Sequence, residues 1–113
     1  MRTIIAGSRS LVSYETLLLA IAEFPFTITS VISGTARGVD ELGEQWAREN
    51  SIPLERYPAD WAKLGRRAGY VRNEQMAQVA EGALILWDGM SPGTKHMINT
   101  CERLNLPHYI FIV

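Results

Sequence analysis

Short apolar runs and helically spaced stretches alternate along the whole chain. Runs rich in β-branched and other apolar residues occur at 2–6, 28–33, 54–57, 83–87 and 108–113. Between them apolar positions recur every three or four residues, the spacing of one helical face. That face holds Tyr14, Leu17, Leu18, Ile21 and Ala22 in 13–24, and Val39, Leu42, Trp46 and Ala47 in 39–50. It holds Met76, Val79 and Ala80 in 72–81, and Met97, Ile98, Cys101 and Leu104 in 94–105. Strand alternating with helix predicts a parallel sheet covered on both faces, and the unbroken apolar run ALILW suits a strand buried on both sides. Right-handed crossovers then favour an α/β, Rossmann-like three-layer sandwich with five parallel strands in the order 3-2-1-4-5.

Prolines and glycines orient this sheet. Pro25, Pro53 and Pro107 stand just before strands, whereas seven of the nine glycines fall where strands end. Open α/β sheets bind ligands at that carboxyl edge, near the point where strand order reverses. Segments 7–11, 33–38, 58–72 and 88–95 therefore form one candidate surface. Arg9, Arg37, Lys63, Arg66, Arg67, Arg72 and Lys95 face only Asp60 and Asp88 there, a net charge of +5, against −6 over the other 79 residues. A chain with a formal charge of −1 has gathered its positive charge on one rim, which suits a compact anion.

Two of these segments lead from a strand through a glycine-rich turn into a helix. In SGTARGVD (33–40), Gly34 and Gly38 permit close backbone approach, and the helix start would present free amides to an anion. Asp40 falls in the first helical turn, where helix capping is an alternative role. In DGMSPGTK (88–95), Ser91 and Pro92 read as a helix start, while Gly93, Thr94 and Lys95 add amides, a hydroxyl and a charge suited to phosphate. Spacing alone is met equally by plain strand-to-helix turns. Their meeting with GSR (7–9) across the switch point is the sharper signal. The connection 58–72 shows no strand pattern; Trp61 beside clustered arginines suits base stacking with phosphate pairing, or else a plug at the end of the core. Arg72-Asn73 is expected to open the next helix. Cys101 reads as a buried thiol, His96 as a surface residue without a partner, and Trp87 as core or pocket wall.

Composition narrows the function classes. The 113 residues allow one domain spanning 1–113, and 47% hydrophobic with 20% charged residues excludes a disordered tail or a globally basic coat. One cysteine and two histidines fit neither a disulfide framework nor the usual zinc patterns. No run approaches the roughly 20 apolar residues of a membrane span. A reduced, soluble, cytoplasmic domain with no metal and no cofactor is expected.

The motifs together resemble one family. SGTARGVDELGEQWA resembles the SG-x-ARG-[IV]-D signature of the SLOG superfamily, shared with the DNA-processing protein DprA and the LOG phosphoribohydrolases. AGSR (6–9), PADW (58–61), GRRAGYVRNEQM (65–76) and WDGMSPGTKHMI (87–98) follow in the order and spacing of its small YspA-like branch, many of whose members are phage-encoded. The resemblance implies a Rossmann-like domain that binds a nucleotide or nucleotide-derived molecule at the glycine-rich edge. Gly7, Ser8, Arg9, Gly34, Thr35, Gly38, Gly93 and Thr94 would hold phosphates, and Trp61 and Arg72 a base or ribose. Ser33, Ala36, Asp40, Asp60, Asn73, Asp88, Gly89, Ser91 and Lys95 complete the candidate ligand-binding set. LOG enzymes carry a PGG-x-GT-x-x-E motif whose glutamate takes part in cleavage; here that place holds Met97, so no catalytic residue is assigned. The first expectation is non-catalytic sensing or sequestration of an ADP-ribose-like or cyclic nucleotide signal. A LOG-type N-glycosidase and a single-stranded nucleic-acid module are the alternatives, the latter disfavoured by the small extent of the basic cluster. No membrane partner is expected, and a homodimer or dimer of dimers is.

Overall fold

A computed structural model of the chain describes residues 1–10 and 12–113; Leu11, which closes the 7–11 window, lies outside the described residues. The expected strands form as β1 (Arg2–Gly7), β2 (Ser30–Ser33), β3 (Leu54–Arg56), β4 (Gly82–Trp87) and β5 (His108–Ile112). All neighbours pair in parallel, in the order β3-β2-β1-β4-β5, so the sheet is the Rossmann-like α/β arrangement expected. β1 and β4 are the central pair, in register from Thr3 opposite Gly82 to Gly7 opposite Leu86. The strand order reverses between them, so their carboxyl ends open a crevice.

Alternate residues of each strand serve opposite faces. Ile4, Ala6, Ile32, Ala83 and Ile85 join Met76, Met97, Ile98 and Cys101 in one core cluster. Ile5, Val31, Leu84 and Leu86 join Leu17, Ala20, Val39 and Ala47 in the other. The first cluster is roofed by α4 (Ala68–Val79) and α5 (Pro92–Arg103), the second by α1 (Tyr14–Glu23) and α2 (Val39–Glu49). Cys101 lies wholly buried on the inner face of α5, and burial lifts its thiol pKa to about 11, which leaves it inert at neutral pH. Among the described residues, no helix is long and apolar enough to cross a membrane.

Three local expectations are corrected. α1 buries Leu17, Ala20 and, at its cap, Phe24, whereas Leu18 is 41% exposed and Ala22 also faces solvent. Each step along a helix turns about 100°, and a narrow contact stripe cannot hold both Leu17 and Leu18. Leu104, assigned to the apolar face of the last helix, follows its final residue as an exposed cap. The connection 58–72 is mostly helical: Asp60 caps the short α3 (Trp61–Leu64), a 3-10 turn follows at Gly65–Arg67, and α4 starts at Ala68. Arg72 and Asn73 thus sit in the second turn of α4 and do not open it.

Candidate functional site

The two central strands are stapled where they end. The Ser8 amide donates to Leu86 O (3.1 Å), and the buried Ser8 hydroxyl accepts from the Asp88 amide (3.1 Å). Asp88 folds its own loop: Oδ1 accepts from the Met90 and Ser91 amides, each at 2.8 Å. Those amides are the main reason its pKa falls to about 2. The Ser91 hydroxyl reaches both Ser8 Oγ (3.2 Å) and Asp88 Oδ2 (3.0 Å), so Ser91 is the N-cap of α5 without a side-chain capping bond. The first intrahelical bond of α5 is made by the Lys95 amide to Ser91 O (3.1 Å). The preceding amides of Gly93 and Thr94 therefore lie ahead of the helical ladder, where an anion finds donors and the positive end of the helix dipole.

The turn from β2 into α2 is held by its own side chains. Ser33 donates its hydroxyl to Glu44 (2.6 Å) and accepts from the Thr35 amide (3.1 Å). Asp40 Oδ2 accepts from the Ala36 amide (3.1 Å). Thr35 takes a positive φ of 64°, and Gly38 one of 80°. A Cβ at Gly38 would also stand 2.5 Å from Ser8 O, so glycine is required there twice over. The amides of Thr35 and Ala36 are thus already engaged within the turn itself.

Helix α4 brings the missing half. Its start at Ala68 puts Gly69, Arg72, Asn73 and Met76 on one face, at the spacing i, i+3, i+4, i+7. Arg72 donates Nη1 to Gly34 O and Nε to Asn73 Oδ1 (3.1 Å). Burial pulls the Arg72 pKa below its ordinary value, with Asp40 opposing that shift and Arg9 adding to it. Asn73, buried, donates to Gly93 O (3.3 Å) and meets His96 Nδ1 at 3.2 Å. His96 is not the unpartnered surface residue expected: its ring stacks on Tyr70, with centroids 4.3 Å apart. Burial lowers its pKa. Trp87 packs against the core and donates its indole N–H to Ser91 O (3.3 Å).

These elements enclose a cavity of about 390 Å³ at the β1/β4 crevice. Of the expected residues, Gly7, Arg9, Ala36, Asp40, Trp61, Arg72, Asn73, Ser91, Gly93 and Thr94 line it. Ser8, Ser33, Gly34, Gly38, Asp60, Asp88 and Gly89 stand outside the lining and shape the turns; Thr35 also lies outside it, and Lys95 faces solvent. Ala6, Ser10, Arg66, Gly69, Tyr70, Met76, Pro92 and Met97 line the cavity without having been singled out as ligand contacts. Reading a helix from Ala68 would have found Gly69 and Met76 on the face of Arg72.

The wall is asymmetric in charge. Arg9, Arg66 and Arg72 line it together with one carboxylate, Asp40. Trp61, 50% exposed, stands at the rim with the Arg9 guanidinium carbon 5.9 Å from its ring centroid, at the limit of a cation–π contact. Asp40 is 5% exposed, and burial raises its pKa to about 6 despite the Ala36 amide and Arg72. Met97, where the LOG pattern places a glutamate, contributes an apolar thioether to the same wall.

Comparison with known proteins bears on this arrangement. The sequence model of the YspA, cpYpsA-related SLOG family matches residues 1–64. The chain is 29% identical over 116 residues to the Gene 61 protein of Mycobacterium phage D29, covering 94% of this chain and 92% of that protein. No solved structure matches the chain.

Proposed function

Because the chain belongs to the YspA, cpYpsA-related SLOG family, we propose that it binds a nucleotide-derived molecule, of the ADP-ribose or cyclic nucleotide kind, without transforming it. The observation that carries this reading is the cavity wall itself: three arginines, the open amides of Gly93 and Thr94, and a stacking surface on Trp61. Phosphates fit the first two groups and a base the third. A non-catalytic role is supported by the carboxylates. Asp60 caps α3, Asp88 holds its own loop, and Asp40 has no carboxylate partner in the wall. Similarity to a phage protein accords with sequestration of a host signal.

Titration calorimetry with ADP-ribose and with cyclic nucleotides, followed by chromatography of the recovered ligand, tests the reading. Binding with the ligand returned intact, weakened about tenfold or more by Arg9→Ala, is expected. Release of free base would replace it with N-glycosidase activity, and steep salt-dependent binding of oligonucleotides alone with a nucleic-acid module. We propose likewise that the protein self-associates as a homodimer or dimer of dimers, the apolar Leu19 and Phe26 being solvent-facing in the single chain. A light-scattering mass of 12.7 kDa with and without nucleotide would refute that.

A further inference from the structure

Asp40 is the one wall residue whose charge opposes the anion the arginines attract, and its bonding is incomplete. Oδ2 accepts from the Ala36 amide, whereas Oδ1 makes no hydrogen bond among the described residues. Nor is the charge neutralised by an ion pair. Among the described residues the pairs within 4.0 Å are Arg2–Glu55, Arg48–Glu44, Arg56–Glu44 and Arg103–Glu74, and none involves Asp40, Arg9 or Arg72. Arg72 is a neighbour of Asp40 without pairing with it. A Cβ at Gly34 would stand 2.7 Å from Arg72 Nη1 and 2.8 Å from Asp40 Oδ2, yet the guanidinium spends its bonds on Gly34 O and Asn73 Oδ1. Among the described residues no fully buried side-chain oxygen is left unbonded, so Oδ1 opens on the cavity, where a ligand's hydroxyl can replace water as its donor.

A bare phosphate or pyrophosphate is a poor source, since the few P–OH donors it keeps at neutral pH come with negative charge set directly against the carboxylate. A nucleotide derivative has donors in its sugar hydroxyls, which lie between a base and its phosphates. Asp40 has the matching place. Trp61 is at the exposed rim, Arg72 and Thr94 are deeper, and Asp40 lies in the wall beside Arg72. Resting on the nucleotide reading of the cavity, we propose that Asp40 accepts a hydrogen bond from a ribose hydroxyl, so that the ligand class is a ribose-bearing phosphate and not a simple phosphate.

The test compares adenosine diphosphate, its 2′,3′-dideoxy analogue and inorganic pyrophosphate by calorimetry on the intact protein. The wild type is expected to bind the diphosphate about tenfold or more tightly than the dideoxy analogue, the worth of one charge-assisted hydrogen bond. Asp40→Asn should reduce that ratio toward one, whereas Arg9→Ala should weaken both nucleotides and leave the ratio standing. The wild-type comparison needs no substitution at Asp40, and Asp40→Ser replaces Asp40→Asn if the latter fails to fold. Arg9-sensitive binding with a wild-type ratio near one, or a ratio unchanged in the Asp40 variants, overturns the ribose contact while leaving the nucleotide site. Absence of binding by all three probes overturns both.

Discussion

The turns that follow β2 and β4 have similar outlines. Each leaves a parallel strand, passes through glycine and enters a helix, and each uses an aspartate to hold its own backbone amides. Their aspartates nevertheless diverge. Asp88 takes two amides at 2.8 Å near solvent, and its pKa falls to about 2; Asp40 takes one at 3.1 Å inside the protein, and its pKa rises to about 6. One contact type is present in both places. What differs is how much water is lost to make it and how many donors replace that water. The β4 turn is thereby a self-contained scaffold that leaves the amides of Gly93 and Thr94 open, while the β2 turn engages the amides of Thr35 and Ala36 and leaves a carboxylate oxygen open. A ligand would meet donors on one side and an acceptor on the other.

The comparison can be broken at four points. The largest effect is expected from Gly34→Val. Its Cβ would displace both Arg72 and Asp40, so nucleotide binding measured by calorimetry should fall about a hundredfold or more, with the fold weakened by about 1–3 kcal/mol. Full binding by this variant would show that the β2 turn is not part of the site. Next comes Asp40→Asn. A carboxyl whose pKa rises from 3.8 to about 6 on folding destabilises the protein as pH climbs through that window, by an amount near 3 kcal/mol. Urea denaturation should find the variant more stable above pH 6 by up to about that much, and equal to the wild type below 3.8.

Asp88→Asn should behave in the opposite sense and more weakly. Its pKa is depressed from 3.8 to about 2, so its stabilisation is present above 3.8 and fades as pH falls through 2. Thermal melts should therefore show the variant less stable at neutral pH and the gap closing in acid; a gap that widens in acid would erase the contrast between the two aspartates. The smallest change in stability is expected from Trp61→Ala. Half of that side chain already faces solvent, so denaturation should shift by about 0.5–1 kcal/mol while a base-containing ligand loses more affinity than pyrophosphate does. Equal losses for both ligands would make Trp61 a lid and not a stacking surface.

The sheet was legible because its signals are local. Alternating strands and helices, with prolines before strands and glycines after them, are enough to predict five parallel strands and the edge where a site belongs. The start of α4 was hidden because Gly65, Arg66, Arg67 and Gly69 break every apolar rhythm and no side-chain cap marks it. His96 was misjudged for a related reason: its partners Tyr70 and Asn73 come from a helix start that periodicity does not mark. Asp40 was marked as a candidate ligand, but nothing near it in sequence announces its burial, because Arg72 arrives from another helix.

Arg72 and Asn73 also bind the domain's two halves into one unit. The bond from Arg72 to Gly34 spans 38 positions and that from Asn73 to Gly93 spans 20, so α4 clasps the chain that precedes the crossover to the chain that follows it. A fragment ending at residue 64, where the family match ends, would lack both clasps and the amides of α5. The cavity therefore arises only once segments from both halves of the chain have been brought together. An occupant would act on the whole cooperative transition and not on one frayed corner. It would slow amide exchange in the central strands as much as at the rim.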